Sequence, residues 1–139
     1  MEAYERLEEI ISAIDLKYGE AELDQLPIKD RYMRALFHME LRNQNSGFYG
    51  YLADADATYV HTAIEGLLAI GDKTTYENFK TLFGFFPDNK FVDDGEQRWK
   101  LMKEWTPEQR SKCDEFDHQY WDTNHDNTLP KAVRYYESH

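Results

Sequence analysis

The 139-residue chain carries 27 acidic and 16 basic residues, which gives a formal net charge of −11. A surface this acidic repels nucleic acid and anionic membranes, so direct binding to either is excluded, whereas a basic protein is an allowed partner. The aromatic content of 15% argues against disorder, and the length suits a single domain, residues 1–139, with a real hydrophobic core.

The chain lacks sequence signals for export or for membrane insertion. No apolar run reaches the roughly 18 residues needed to cross a bilayer. The segment Met1–Arg6 is acidic, whereas a signal peptide begins with a basic region. The single cysteine, Cys113, cannot form an internal disulfide, which fits a reducing compartment. We therefore expect a cytoplasmic protein.

Apolar residues at helical spacing predict two helices in the first part of the chain. The first helix runs from Tyr4 to Tyr18, and Gly19 marks its end. Pro27 begins a second helix, whose broad apolar face predicts a central, buried position. We expect this helix to end in the polar segment 43–47, because Asn, Ser and Gly favour turns.

Three further helices are predicted in the middle of the chain. Asp54 or Asp56 caps the third helix, which ends at Gly71. Residues 74–77, Thr-Thr-Tyr-Glu, form a capping box for the fourth. A fifth helical segment follows Gly95 and carries two tryptophans.

The strongest helix start is the Thr-Pro-Glu-Gln segment at residues 106–109, which combines a Thr cap, a first-turn Pro and a capping Gln. A polar break at 124–128 separates this helix from a final short one. The Pro87 turn between two aromatic pairs also allows a short hairpin near Phe85–Val92. The predicted fold class is therefore all-α, with six or seven helices in one compact domain.

Metal and catalytic motifs occur only as fragments. Asp122, Asn124 and Asp126 copy the first three ligand positions of a calcium-binding loop, but Asn127 replaces the required Gly and Val133 the closing Glu. The histidines lack metal-ligand spacing, and no phosphate-binding loop or nucleophile motif is present. We expect no metal, no cofactor and no enzymatic activity.

One segment, residues 40–51, resembles the signature of the bacterial DNA mimic protein nineteen-like family. Members carry a helical Glu, an Asn-Gly-Gly-Phe turn, then a Gln and an aromatic residue. The matching positions are Asn45, Gly47, Phe48 and Tyr51. Ser46 stands where the family has a Gly, and Gly50 stands where it has the Gln. Gly47 and Phe48 also suit a sharp turn and a core plug, which is a purely structural role.

Two later stretches are similar to the same family. Residues 63–71 resemble its helix ending in Ile-Gly, and residues 116–136 resemble its aromatic and acidic C-terminal pattern. The resemblance implies a helical protein, able to form a homodimer, whose acidic surface imitates DNA phosphates. It implies a basic partner, such as a transcription factor or another DNA-binding protein.

The leading hypothesis is a non-enzymatic DNA mimic that binds through carboxylates. The expected partner-binding residues lie on the first helix and near the C-terminus: Glu2, Glu5, Glu8, Glu9, Asp15, Asp114, Glu115, Asp117, Asp122 and Asp126. An ordinary solvated acidic face is the competing explanation of the same residues.

Two alternatives stay open. An immunity or toxin-neutralising protein would use an exposed aromatic surface built from Tyr49, Tyr51, Trp99, Trp105 and Trp121. A small-ligand enzyme would centre on Glu40 and the loop around Asn45. A continuous carboxylate surface favours mimicry, and an exposed aromatic patch favours the first alternative.

Overall fold

A computed structural model describes residues 2–139, with side chains for all of these except residues 123–126. This part of the chain contains seven α-helices and no strand: α1 (Glu2–Tyr18), α2 (Ile28–Asp54), α3 (Ala57–Ile70), α4 (Lys73–Phe83), α5 (Gly95–Lys103), α6 (Pro107–Gln119) and α7 (His125–Ser138). The all-α prediction with six or seven helices is confirmed. Each helix described is too short or too polar to span a bilayer.

Helix α2 is the centre of the fold. It contacts α1, α3, α5, α6 and α7. Its side chains Met33, Leu36 and Met39 are almost completely buried, as the broad apolar face predicts. Helix α1 packs against α2 and α7, so it covers one side of the core. This placement leaves the outer side of α1 in water.

Most of the predicted helix boundaries are confirmed. Gly19 and Gly71 follow α1 and α3 with positive φ angles, +58° and +84°. The hydroxyl of Thr106 accepts the N–H of Gln109, and the Gln109 side chain accepts the N–H of Thr106. The capping box at residues 74–77 is wrong. Asp72 caps α4 by accepting the N–H of Thr75 at 3.1 Å, so Thr74 already lies inside the helix.

The hairpin predicted near Phe85–Val92 is wrong. The segment contains a single 3₁₀ turn, Pro87–Asn89, in which Asp88 and Asn89 both have positive φ angles. Phe86 and Phe91 are buried and meet edge to face, with ring centroids 5.7 Å apart. Both rings therefore pack in the core, and the backbone between them is irregular.

The turn predicted in the polar segment 43–47 is present as a kink. Gly47 has φ 68° and ψ −177°, so α2 consists of two helical stretches that meet there, and the second continues to Asp54. The break predicted at 124–128 is absent from the backbone, since one π-helical turn, Tyr120–Asn124, leads directly into α7. Polar composition therefore indicated a real change of direction at the first place and not at the second.

Candidate functional site

Helix α1 presents a row of carboxylates to solvent. Its buried face consists of Leu7, Ile10, Ile11 and Ile14. The exposed side carries all five acidic residues predicted on this helix: Glu2, Glu5, Glu8, Glu9 and Asp15. At a rise of 1.5 Å per residue these five charges span about 20 Å of helix axis, with a mean spacing of about 5 Å. One strand of a DNA duplex carries a phosphate per about 3.4 Å.

Two of these carboxylates have cationic neighbours. Arg6 contacts Glu9 at 3.3 Å and Glu137 of α7 at 2.9 Å, and Arg34 of α2 contacts Asp15 at 3.0 Å. The two pairs of Arg6 are exposed and contribute little to stability, whereas the Arg34 side chain is largely buried. The remaining three carboxylates form no ion pair with any residue that the structure describes: Glu2, Glu5 and Glu8.

The carboxylates of α6 and the following turn are less available. Asp114 and Asp122 are exposed, whereas Glu115 pairs with Lys112 at 2.8 Å. Asp117 is half-buried. The side chain of Asp126, which was also predicted to bind the partner, lies outside the described residues. Of the residues predicted to bind the partner, this region therefore offers two that are exposed and without an ion pair among the described residues, whereas α1 offers three.

Asp117 turns inward and holds the kink in α2. Its Oδ1 accepts the backbone N–H of Phe48 at 2.8 Å. A Cβ atom on Gly47 would lie 2.6 Å from Oδ2 of the same carboxylate, so only glycine allows this approach. Burial raises the pKa of Asp117, and the hydrogen bond from Phe48 offsets part of that rise. One of the predicted partner-binding residues therefore has a structural contact.

The kink directs the aromatic residues of the family-like segment into the core. The ring of Phe48 stacks on Phe79 with centroids 4.5 Å apart and meets Tyr120 edge-on at 5.7 Å. Tyr51 is completely buried, and burial raises the pKa of its hydroxyl. Asn45 lies on the exposed side of α2. Three of the four matching residues thus shape the kink or the core beside it.

Two interior carboxylates were not anticipated as buried groups. Glu40 is fully buried and accepts a hydrogen bond from the Tyr120 hydroxyl at 2.5 Å. Asp72 accepts one from the hydroxyl of Thr128. Burial and the neighbouring Glu40 raise the pKa of Tyr120 well above its usual value, so the phenol stays protonated and donates. Glu40 presents no carboxylate to solvent, contrary to what an exposed enzyme site around it would require.

The five aromatic residues of the alternative hypothesis do not form one exposed patch. Tyr51 and Trp105 are buried. Tyr49 and Trp121 are half-buried, and Tyr49 donates a hydrogen bond to the Met102 carbonyl at 2.8 Å. The fifth, Trp99, is 47% exposed on α5.

Candidate metal and nucleophile positions were also located. Among the residues whose side chains the structure describes, no group of three His, Cys, Asp or Glu is arranged to hold a metal ion. The calcium-loop fragment at 122–126 falls largely outside those side chains. Burial raises the pKa of the Cys113 thiol to about 12, so this group is protonated at neutral pH and is a poor nucleophile.

Comparison with known proteins identifies the family. The model of the family described as DMP19-like protein matches residues 24–139. The chain belongs to this family, and the resemblance expected from the segment 40–51 is confirmed. The matched part contains α2 to α7 and leaves out α1. No curated protein and no solved structure shows a significant match to the chain.

Proposed function

We propose that this DMP19-like protein is a non-enzymatic DNA mimic that binds a basic, DNA-binding protein. The observation that carries the proposal is the row of five exposed carboxylates on α1, which presents a negative charge about every 5 Å of helix axis, against about 3.4 Å for the phosphates along one DNA strand. The net charge of −11 and the family membership support the same function.

In this proposal the partner releases the phosphates of DNA and binds the carboxylates of this protein instead. Lysine and arginine side chains of the partner, which otherwise contact DNA phosphates, pair with Glu2, Glu5 and Glu8. These three carboxylates are available because they form no ion pair with any described residue. Attraction between oppositely charged surfaces speeds association and weakens as salt is added. Binding to this chain and binding to DNA then exclude each other on the partner.

The acidic residues of α6 have a secondary part in this proposal. Asp114 and Asp122 add exposed negative charge on a separate helix and the turn after it, but Lys112 on the same helix reduces the local field. We place the protein in the cytoplasm, where a DNA-binding partner is found in cells without a nucleus. The unpaired thiol of Cys113 suits that compartment.

The proposal is tested by isolating the partner and asking whether it releases DNA. The immobilised protein is exposed to a nuclease-treated extract of its source organism at about 50 mM NaCl, and retained proteins are eluted at about 500 mM. The eluted protein is then bound to its labelled duplex, and the mimic is titrated in while fluorescence anisotropy is recorded. We expect the duplex to be released as the mimic binds, and the direct affinity of the mimic for the partner to fall as salt is added.

Two outcomes would contradict the proposal. One is a retained protein that has no affinity for DNA. The other is a retained protein that keeps its duplex bound at saturating mimic, which would place the contact away from the DNA-binding face. Bovine serum albumin, also acidic, serves as the control for release by net charge alone.

A further inference from the structure

A groove of about 470 Å³ lies beside the carboxylate row, between α1, α2 and α3. We call it the α1–α2 groove. Its apolar lining comes from three helices: Ile11, Phe37, Leu41 and Tyr59. Leu41 is 37% exposed, which is unusual for a leucine of the central helix. The groove therefore offers apolar surface that nothing in the described chain covers.

His38 adds an uncharged polar atom to the floor of this groove. Its ring lies 4.7 Å from the ring of Tyr59, and its Nδ1 is buried without a hydrogen-bond partner among the described residues. Burial, followed by the positive charge of Arg42, lowers the pKa of His38. The ring is therefore neutral at pH 7, and the floor carries no charge that would oppose an apolar group.

The charged residues around the groove are acidic in excess. Arg34 is already satisfied by Asp15 at 3.0 Å and by the carbonyl oxygens of Ala21 and Gly19 at 3.1 and 3.3 Å, and the exposed Arg42 next to Leu41 is a second cation. Glu20 lines the same opening and is exposed. On α1, Glu8 precedes Ile11 and Asp15 by three and seven residues and so lies on the same side of the helix.

We propose that the α1–α2 groove receives one apolar side chain of the basic partner, with lysine or arginine residues on either side of it. This inference rests on the proposed function, which it deepens by adding an apolar anchor to the charged contact. Burial of the anchor against Leu41 and Tyr59 provides affinity that does not depend on salt. Charge complementarity with Glu8 and Glu20 selects a segment that is basic around the anchor.

A second groove of the same volume provides a matched comparison. This α3–α4 groove is also about 470 Å³ and contains Leu68, which is 50% exposed. Lys80 and Lys90 line it and form no ion pair with described residues, whereas His61 is engaged with Asp93 at 2.7 Å. Glu65 and Asp93 also line this groove, so its two carboxylates are balanced by the two lysines. It offers a basic segment no excess of negative charge, and a lysine-flanked anchor should bind here more weakly.

The test uses two synthetic peptides of lysine and alanine that differ only at a central leucine or serine. Their binding to the full-length protein is measured by fluorescence anisotropy at low salt. We expect the leucine peptide to bind about tenfold more tightly than the serine peptide, since burying one leucine side chain contributes on that scale. The tenfold ratio should disappear in Leu41→Ser and persist in Leu68→Ser.

The outcomes separate this inference from the proposed function. If both peptides bind with equal affinity and that affinity falls steeply at higher salt, the proposed apolar anchor is wrong, and the proposed charge mimicry is not contradicted. An equal loss in Leu41→Ser and Leu68→Ser also overturns it, because the anchor would then lack a defined site. Absence of binding by either peptide contradicts both proposals. Thermal unfolding of the two variants verifies that each retains the native fold.

Discussion

Helices α1 and α6 both carry acidic residues, but these residues have different roles in the two helices. On α1 every carboxylate lies on the solvent side, and three have no ion pair among the described residues. On α6 Asp117 leaves the surface to bond Phe48, and Glu115 is paired within its own helix. What packs against a helix, rather than its acidic composition, decides which of its carboxylates are free to bind a partner.

The family match sharpens this contrast. Residues 24–139 include α6, the Gly47 kink and the buried Glu40, but not α1. The residues that make the chain resemble its family thus organise the interior, whereas the five exposed carboxylates of α1 lie outside the matched part. Family membership and the charged surface are separate observations, and experiments can separate them as well.

The largest effect on stability is expected at the kink beside α6. Gly47→Ala places a side chain at φ +68° and forces the Asp117 carboxylate away from its hydrogen bond with Phe48. We expect a loss of about 3 kcal/mol in the free energy of unfolding, from strain at a φ, ψ combination that essentially only glycine adopts, together with the broken contact. Urea denaturation measures it.

Gly19→Ala, at the end of α1, is the matched control. Its φ is +58°, but no atom lies within 4 Å of the added Cβ. Only the strain remains, so we expect a loss of about 1 kcal/mol. Equal losses in the two variants would show that Asp117 does not constrain the kink.

A smaller effect is expected from the carboxylate itself. Asp117→Ala removes the acceptor for the Phe48 N–H, which should cost about 1–2 kcal/mol in the free energy of unfolding. Asp117→Asn keeps an oxygen acceptor and removes the charge whose burial raises the pKa, so it should be tolerated better than alanine.

The exposed Asp114, one turn earlier on α6, provides the comparison. Asp114→Ala should change the free energy of unfolding by no more than about 0.5 kcal/mol. If Asp114→Ala and Asp117→Ala destabilise the protein alike, the distinction between a structural and a surface carboxylate on α6 is wrong.

Local signals in the sequence predicted much of the fold. The Thr106 capping box and the glycines after α1 and α3 act within one helical turn, so the chain itself contains all of the interacting groups. At Gly47 the same kind of signal indicated a turn, and the residue does leave helical geometry. The carboxylate that accepts the backbone N–H at this kink belongs to Asp117, 69 residues away, and local sequence signals could not predict that contact.

The sequence predicted which acidic residues belong to the candidate site, but not which of them are exposed and free of structural contacts. Periodicity placed the acidic residues of α1 opposite its apolar face, and the structure has them there. Composition could not distinguish the exposed Asp114 from Asp117, nor foresee that Glu40 would be buried against Tyr120. These outcomes depend on which helices pack together.

The central claim is that α1, rather than negative charge in general, binds the basic partner. The most direct measurement compares two variants that remove three charges each, Glu2→Gln/Glu5→Gln/Glu8→Gln on α1 and Asp114→Asn/Glu115→Gln/Asp122→Asn around α6. The affinity of each for the captured partner is determined by titration calorimetry at one salt concentration. We expect the α1 variant to bind at least about tenfold more weakly and the α6 variant less than about threefold. Equal weakening in the two variants would contradict the claim.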